Sequence, residues 1–217
     1  AWRLKVIMRL KEIFRKKSIK YSVVAIIIVS LSVVAFLNMD FNATKSRTSI
    51  NTRKESFSVS ENEIEPGLGN EMFLYVDGRS LDGLLDEKLL ESLEGYGPDV
   101  MSFLNLKERF DGPVIAVKVL REEIGYTPFY STSKVDVLFF YSSIGETDYF
   151  EKFVSEEFGG PDVTVVFEGS DGPQRMVRGE LTLRDTSYGI ATPKGYRTLL
   201  AGRIADRISN EMREATL

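Results

Sequence analysis

Residues 21–39, YSVVAIIIVSLSVVAFLNM, run for nineteen positions without a charge, a glycine or a proline. As a helix they rise about 28 Å at 1.5 Å per residue, close to the hydrocarbon thickness of a bilayer. The core helix of a soluble domain seldom runs that long while apolar on every face. The β-branched positions Val23, Val24, Ile26, Ile27, Ile28 and Val29 lower helix propensity in water. In lipid that penalty matters less, because each backbone group must bond within its own segment. Ser22, Ser30 and Ser32 can bond back to carbonyls of the preceding turn. The stretch therefore predicts a transmembrane helix.

A cleaved signal peptide fits less well. Its apolar core spans about 7–15 residues and ends in small residues. Here the core is longer, and Phe36, Leu37, Asn38 and Met39 stand where a cleavage site belongs. The expectation is an uncleaved signal-anchor. Its direction follows from flanking charge. Residues 1–20 hold eight basic residues against Glu12 alone, with Arg15, Lys16, Lys17 and Lys20 nearest the span. Residues 40–60 hold four basic residues against two acidic ones. The N-terminus is expected in the cytoplasm, with residues 40–217 outside it at the cell membrane. Residues 2–16 place Ile7, Leu10 and Phe14 at helical spacing among basic residues. They read either as an amphipathic helix on the inner leaflet or as a plain orienting tail.

Past the span, residues 40–69 are rich in Ser, Thr, Asn and charge, with few large apolar side chains. That composition predicts a flexible polar stalk. Asn42-Ala43-Thr44 forms a formal glycosylation sequon, which makes Asn42 a possible acceptor.

An ordered domain is expected over residues 70–217. Residues 71–77 read as a buried strand, and residues 84–95 as an amphipathic helix with Leu85, Leu89 and Leu93 inward. A second short helix is expected over 99–110. Period-two runs at 114–121, 126–131 and 134–142 predict three strands of an antiparallel meander. A helix over 146–158, a strand over 162–168, a ribbon over 174–184 and an edge strand at 188–191 follow. A long helix starting at Thr192-Pro193 closes the chain. The fold class is α+β: a single transmembrane helix, then a two-layer domain of mainly antiparallel sheet packed with about four helices.

The chain has no cysteine and no histidine. Disulfides, Ser-His-Asp triads, Cys-His dyads and Cys/His metal sites are therefore excluded. Ser131-Thr132-Ser133-Lys134 matches S-x-x-K, making Ser131 and Lys134 the candidates for a Ser–Lys dyad. That spacing is catalytic only where a helix puts both on one face. Carboxylate pairs such as Asp82/Asp86 and Glu156/Glu157 read as solvated surface. No calcium-loop or phosphate-loop pattern is present, so no cofactor and no metal is expected.

Residues 70–217 carry 16 basic against 26 acidic residues, which argues against nucleic acid as a partner. An acidic patch would suit a basic protein. The expected function is a single-pass membrane protein presenting a non-catalytic binding or assembly domain in an envelope complex, through a protein partner or self-association. The alternatives are a membrane-tethered hydrolase using Ser–Lys or paired carboxylates, and a structural protein of an envelope or virion membrane.

Overall fold

The computed structural model describes residues 21–59, 71–95, 97, 99–155 and 174–216. The basic tail, the strand expected over 162–168 and the orienting residues Arg15, Lys16, Lys17 and Lys20 lie outside them.

Helix α1, Tyr21–Asn38, is long and apolar enough to cross a membrane, and none of it is buried against the rest of the chain. The chain then enters the domain at once. Strand β1 (Asn42–Val59) is followed by β2 (Glu71–Asp77), a 3-10 turn (Arg79–Leu81) and α2 (Asp82–Glu94). After these come β3 (Asp99–Phe103), β4 (Val114–Tyr126), β5 (Tyr130–Ser142), α3 (Asp148–Ser155), β6 (Gln174–Ala191) and α4 (Pro193–Thr216). The six strands form one sheet in the order β1-β6-β5-β4-β2-β3. The pairings from β1 to β4 are antiparallel; those of β2 with β4 and with β3 are parallel. The fold is α+β with a mixed sheet.

Helices α2 and α4 cover one face. Leu85, Leu89 and Leu93 of α2 and Leu200, Ile204, Ile208 and Met212 of α4 are fully buried. They meet Val117, Val137, Phe139, Val177 and Leu181 of the sheet in the main core. Fully burying each such side chain is worth about 1.5–3 kcal/mol, so this interface dominates the stability of the domain. On the other face α3 seats Phe150 and Phe153 over Phe140, Leu138 and Met176 in a smaller cluster. Helices thus lie on both faces, and the two-layer expectation gives way to a third, partial layer.

The largest departure from the sequence reading is at residues 42–59. They form the longest pairing in the sheet, with Asn42 opposite Ala191 and Val59 opposite Gln174, where a stalk was expected. The inward positions of β1 are Ser46, Thr48, Ile50 and Thr52, so the face toward α4 is nearly free of large apolar groups. Hydrogen bonds hold it instead. Arg203 of α4 donates to Ser46 Oγ and to Thr48 Oγ1, and Arg207 Nε donates to Thr52 Oγ1 at 2.9 Å. Lys54 Nζ lies 3.1 Å from Glu211 Oε2. A strand bound this way gives no hydrophobic signal.

Residues 99–103 are also a strand rather than the start of a helix. Their apolar side chains serve a parallel edge, and Phe103 packs edge-on against Phe73 at 5.5 Å. Short apolar runs of this length fit either period. The three expected meander strands are two, because β4 runs unbroken through Gly125 to a turn at residues 127–129. The ribbon and the edge strand are likewise one strand, β6.

Candidate functional site

The face of β1, β6, β5 and β4 opposite α4 divides into two halves. One half lies under α3. No described helix covers the other. Register orders its side chains into rows across the four strands. Ser49, Arg184, Lys134 and Glu123 make one row, and Asn51, Thr182, Asp136 and Arg121 the next. Toward the β4–β5 turn follow Arg47, Thr186 and Thr132, then Lys45, Tyr188 and Tyr130. Five basic side chains thus face two carboxylates in a domain whose overall charge is acidic.

Asp136 organises this band. It is 4% exposed and accepts from Thr182 Oγ1 at 2.8 Å. Lys134 Nζ stands 3.7 Å and Arg121 Nε 4.0 Å from its other oxygen. The carboxylate is therefore neutralised in place, while Arg184, Arg47 and Lys45 remain exposed. Strand β2 pairs with β4 only as far as Lys118, and among the described residues no strand pairs with the outer edge of β4 beyond it. There an open depression of about 440 Å³ is lined by Glu123, Ile124, Gly125, Thr132, Ser133 and Lys134. Electrostatically the band suits an anionic surface, in contrast to the basic partner that net charge alone suggests.

The structure does not bring the S-x-x-K pair together. Ser131 and Lys134 lie three apart on strand β5, so their side chains leave opposite faces of the sheet. Ser131 is buried on the α4 side, where its hydroxyl reaches Thr127 O at 3.4 Å. Lys134 points into the polar band. Asn42 opens β1, and its Oδ1 accepts from Thr44 N at 3.1 Å and Thr44 Oγ1 at 2.6 Å. The sequon is thus folded on itself, four residues beyond the end of α1. Among the described residues no group of three or more His, Cys, Asp or Glu side chains could hold a metal ion.

A second polar cluster lies beneath the sheet, between β1, β6 and α4, and the sequence reading missed it. Asp185 is 2% exposed. It accepts from Ser187 Oγ at 2.7 Å, from Tyr196 OH at 3.0 Å and from Thr48 Oγ1, the hydroxyl to which Arg203 donates. The signal in sequence was a lone Asp among β-formers in 181–191, which resembles a turn residue. Ser187 is two residues away on the same strand face, but Thr48 and Tyr196 are 137 and 11 residues away on other elements, so only the fold brings them in.

Burial pushes the Tyr196 phenol far above the usual tyrosine range. Ser133 and Arg203 oppose the shift, and the charge of Asp185 reinforces it. A phenol raised in the fold holds its proton where the unfolded chain has lost it. The stability it contributes is complete below about pH 10 and falls as pH rises above that value, by up to about 1.4 kcal/mol per pH unit. Urea unfolding followed by circular dichroism should show a midpoint flat from pH 7 to about 9.5, then declining. In Tyr196→Phe the decline should be shallower, with Tyr141, Tyr75 and Tyr126, each raised by its own burial, carrying the remainder. An equal slope in the variant contradicts this assignment.

No family model matches the chain, and no curated protein matches it either. Among solved structures, a PelC dodecamer variant from Paraburkholderia phytofirmans is similar over 72% of this chain and 98% of that one. The identity is 10% and the TM-score 0.34, too low for the likeness to bear on fold or function.

Proposed function

We propose that the chain is a single-pass membrane protein, its N-terminus cytoplasmic, that presents a non-catalytic binding or assembly domain outside the cytoplasm in an envelope complex. The open band of β1, β6, β5 and β4 is its binding surface, and its partner is an acidic protein segment. The observation that carries this reading is the band itself: exposed Arg184, Arg47 and Lys45 around a neutralised Asp136, with no described helix over them. Helix α1 supplies the anchor. The S-x-x-K residues on opposite faces leave the hydrolase alternative without its dyad. Self-association has one observation in its favour, because β1 is an 18-residue strand at the edge of the sheet.

The test combines topology and contact. Protease added to sealed right-side-out vesicles should remove a C-terminal epitope; full protection would overturn the orientation. A photo-crosslinker at Thr186, in native membranes, should capture a discrete product, and one at Glu87 on α2 should not. Arg184→Glu combined with Arg47→Glu should lower the yield at least about tenfold, since like-charge juxtaposition costs several kcal/mol. Equal capture from both positions, or indifference to charge reversal, sinks the assignment of this face.

A further inference from the structure

Eight large hydrophobic residues are exposed among the described residues beyond α1, and six of them lie at one end of the domain. They are Met39, Phe41, Phe129, Tyr130, Tyr188 and Ile190. Phe129, in the turn between β4 and β5, is 68% exposed, and Tyr188 is 60% exposed. Scattered single exposures are ordinary, but this is a continuous strip. Gly189 N donates to Phe129 O at 3.1 Å, and Ala191 N to Pro128 O at 3.1 Å. Asn42 pairs with Ala191, and Thr192 N donates to Phe41 O at 2.8 Å. The rings of Tyr130 and Tyr188 lie 5.1 Å apart. The turn, the end of β6 and the start of β1 thus form one row.

The first of these residues, Met39, directly follows α1, and Phe41 stands three residues beyond the helix. Three residues span at most about 11 Å. The polar zone on each side of the hydrocarbon is itself about 5–8 Å deep. The connection is also short of slack. Thr192 Oγ1 donates to Met39 O at 2.6 Å and accepts from Phe41 N at 3.1 Å, and Thr198 Oγ1 donates to Asp40 Oδ2 at 2.9 Å. The first residues after the helix are therefore pinned to the start of α4. Around the strip stand the exposed basic residues Lys45 and Arg47 of β1 and Lys194 and Arg197 of α4. Aromatic rings ringed by Lys and Arg are the composition that settles at the headgroup level of a bilayer.

We infer that this end of the sheet rests in the interface of the same bilayer that α1 crosses, with Phe129, Tyr130, Tyr188 and Ile190 as its contacts. The inference rests on the membrane-span reading of α1. The domain is then seated on the lipid surface with its strands rising from it, and the basic band faces sideways along the membrane.

The absence of native cysteine makes the test direct. Single variants Phe129→Cys, Ile190→Cys, Glu87→Cys and Val29→Cys of the full chain carry an environment-sensitive nitrobenzoxadiazole label. They are reconstituted into phosphatidylcholine–phosphatidylglycerol vesicles with and without spin-labelled lipid, and circular dichroism confirms that each is folded. Quenching at positions 129 and 190 should exceed that at 87 by at least about threefold, as for an interfacial belt. Strong quenching at 29 with none at 129 and 190 overturns the seating and leaves the anchor intact. No quenching at 29 removes the membrane span, and with it this inference.

Discussion

Replacing Asp185 by Ala should lower the unfolding free energy of the domain by about 3–5 kcal/mol, a large part of what a domain of this size has. The carboxylate sits where β1, β6 and α4 meet and accepts from Thr48, Ser187 and Tyr196. Ala would leave three hydroxyls without their acceptor, two of them, on Ser187 and Tyr196, buried to within 1%. An unmet buried donor costs about 1–3 kcal/mol, and the three share one site, so the losses do not simply add. Arg203 is affected as well, because it donates to the same Thr48 hydroxyl. Asp185→Asn keeps one oxygen acceptor and should lose roughly half as much. The measurement is urea unfolding of the full chain in detergent, read by far-ultraviolet circular dichroism. A loss below about 1 kcal/mol for Asp185→Ala would show that the cluster is not the fastening between β1 and α4.

Replacing Gly179 by Val should prevent the domain from reaching its native state. A Cβ at this position of β6 would lie 1.9 Å from Cζ of Phe139 and 2.4 Å or less from both Cε atoms. Phe139 is fully buried in the main core, under α4, so its ring has no space to retreat into. Overpacking by one methyl already costs about 1–3 kcal/mol where the neighbour can shift; here it cannot, and Val adds two further carbons. Gly179→Ala should still fold, with a loss at or above the upper end of that range. Shortening the ring in Gly179→Ala/Phe139→Leu should recover part of the loss, giving a favourable coupling of about 1 kcal/mol or more. Purely additive effects would mean that the ring does not occupy this space.

The two substitutions also mark the limits of reading the chain as a sequence. Gly179 stands in a run of strand-formers, which is how a close approach shows itself in one dimension. Which ring approaches it was not legible, because Phe139 lies on another strand and meets it only through the β5–β6 register. The apolar helices and the central strands were legible for a simple reason. Burial of one face imposes a period, 3.6 for α2 and α4 and 2 for β5, and the period is written in the residues themselves.

Local chemistry by itself determined the long uncharged helix, its basic approach, the leucine face of α2, the closing helix α4 and the α+β class. Each of these depends on residues near one another in the chain. Tertiary structure alone decided three other features. It made residues 42–59 a strand, because hydrogen bonds to Arg203 and Arg207 replace the apolar burial that would have announced one. It set Ser131 and Lys134 on opposite faces, because strand geometry rather than spacing governs where side chains point. And it gathered Arg121, Lys134, Arg184, Arg47 and Lys45 into one basic band on an acidic domain. Net charge is a sum over the chain, whereas a surface is sorted by strand register, and register is set by pairings between residues far apart in sequence.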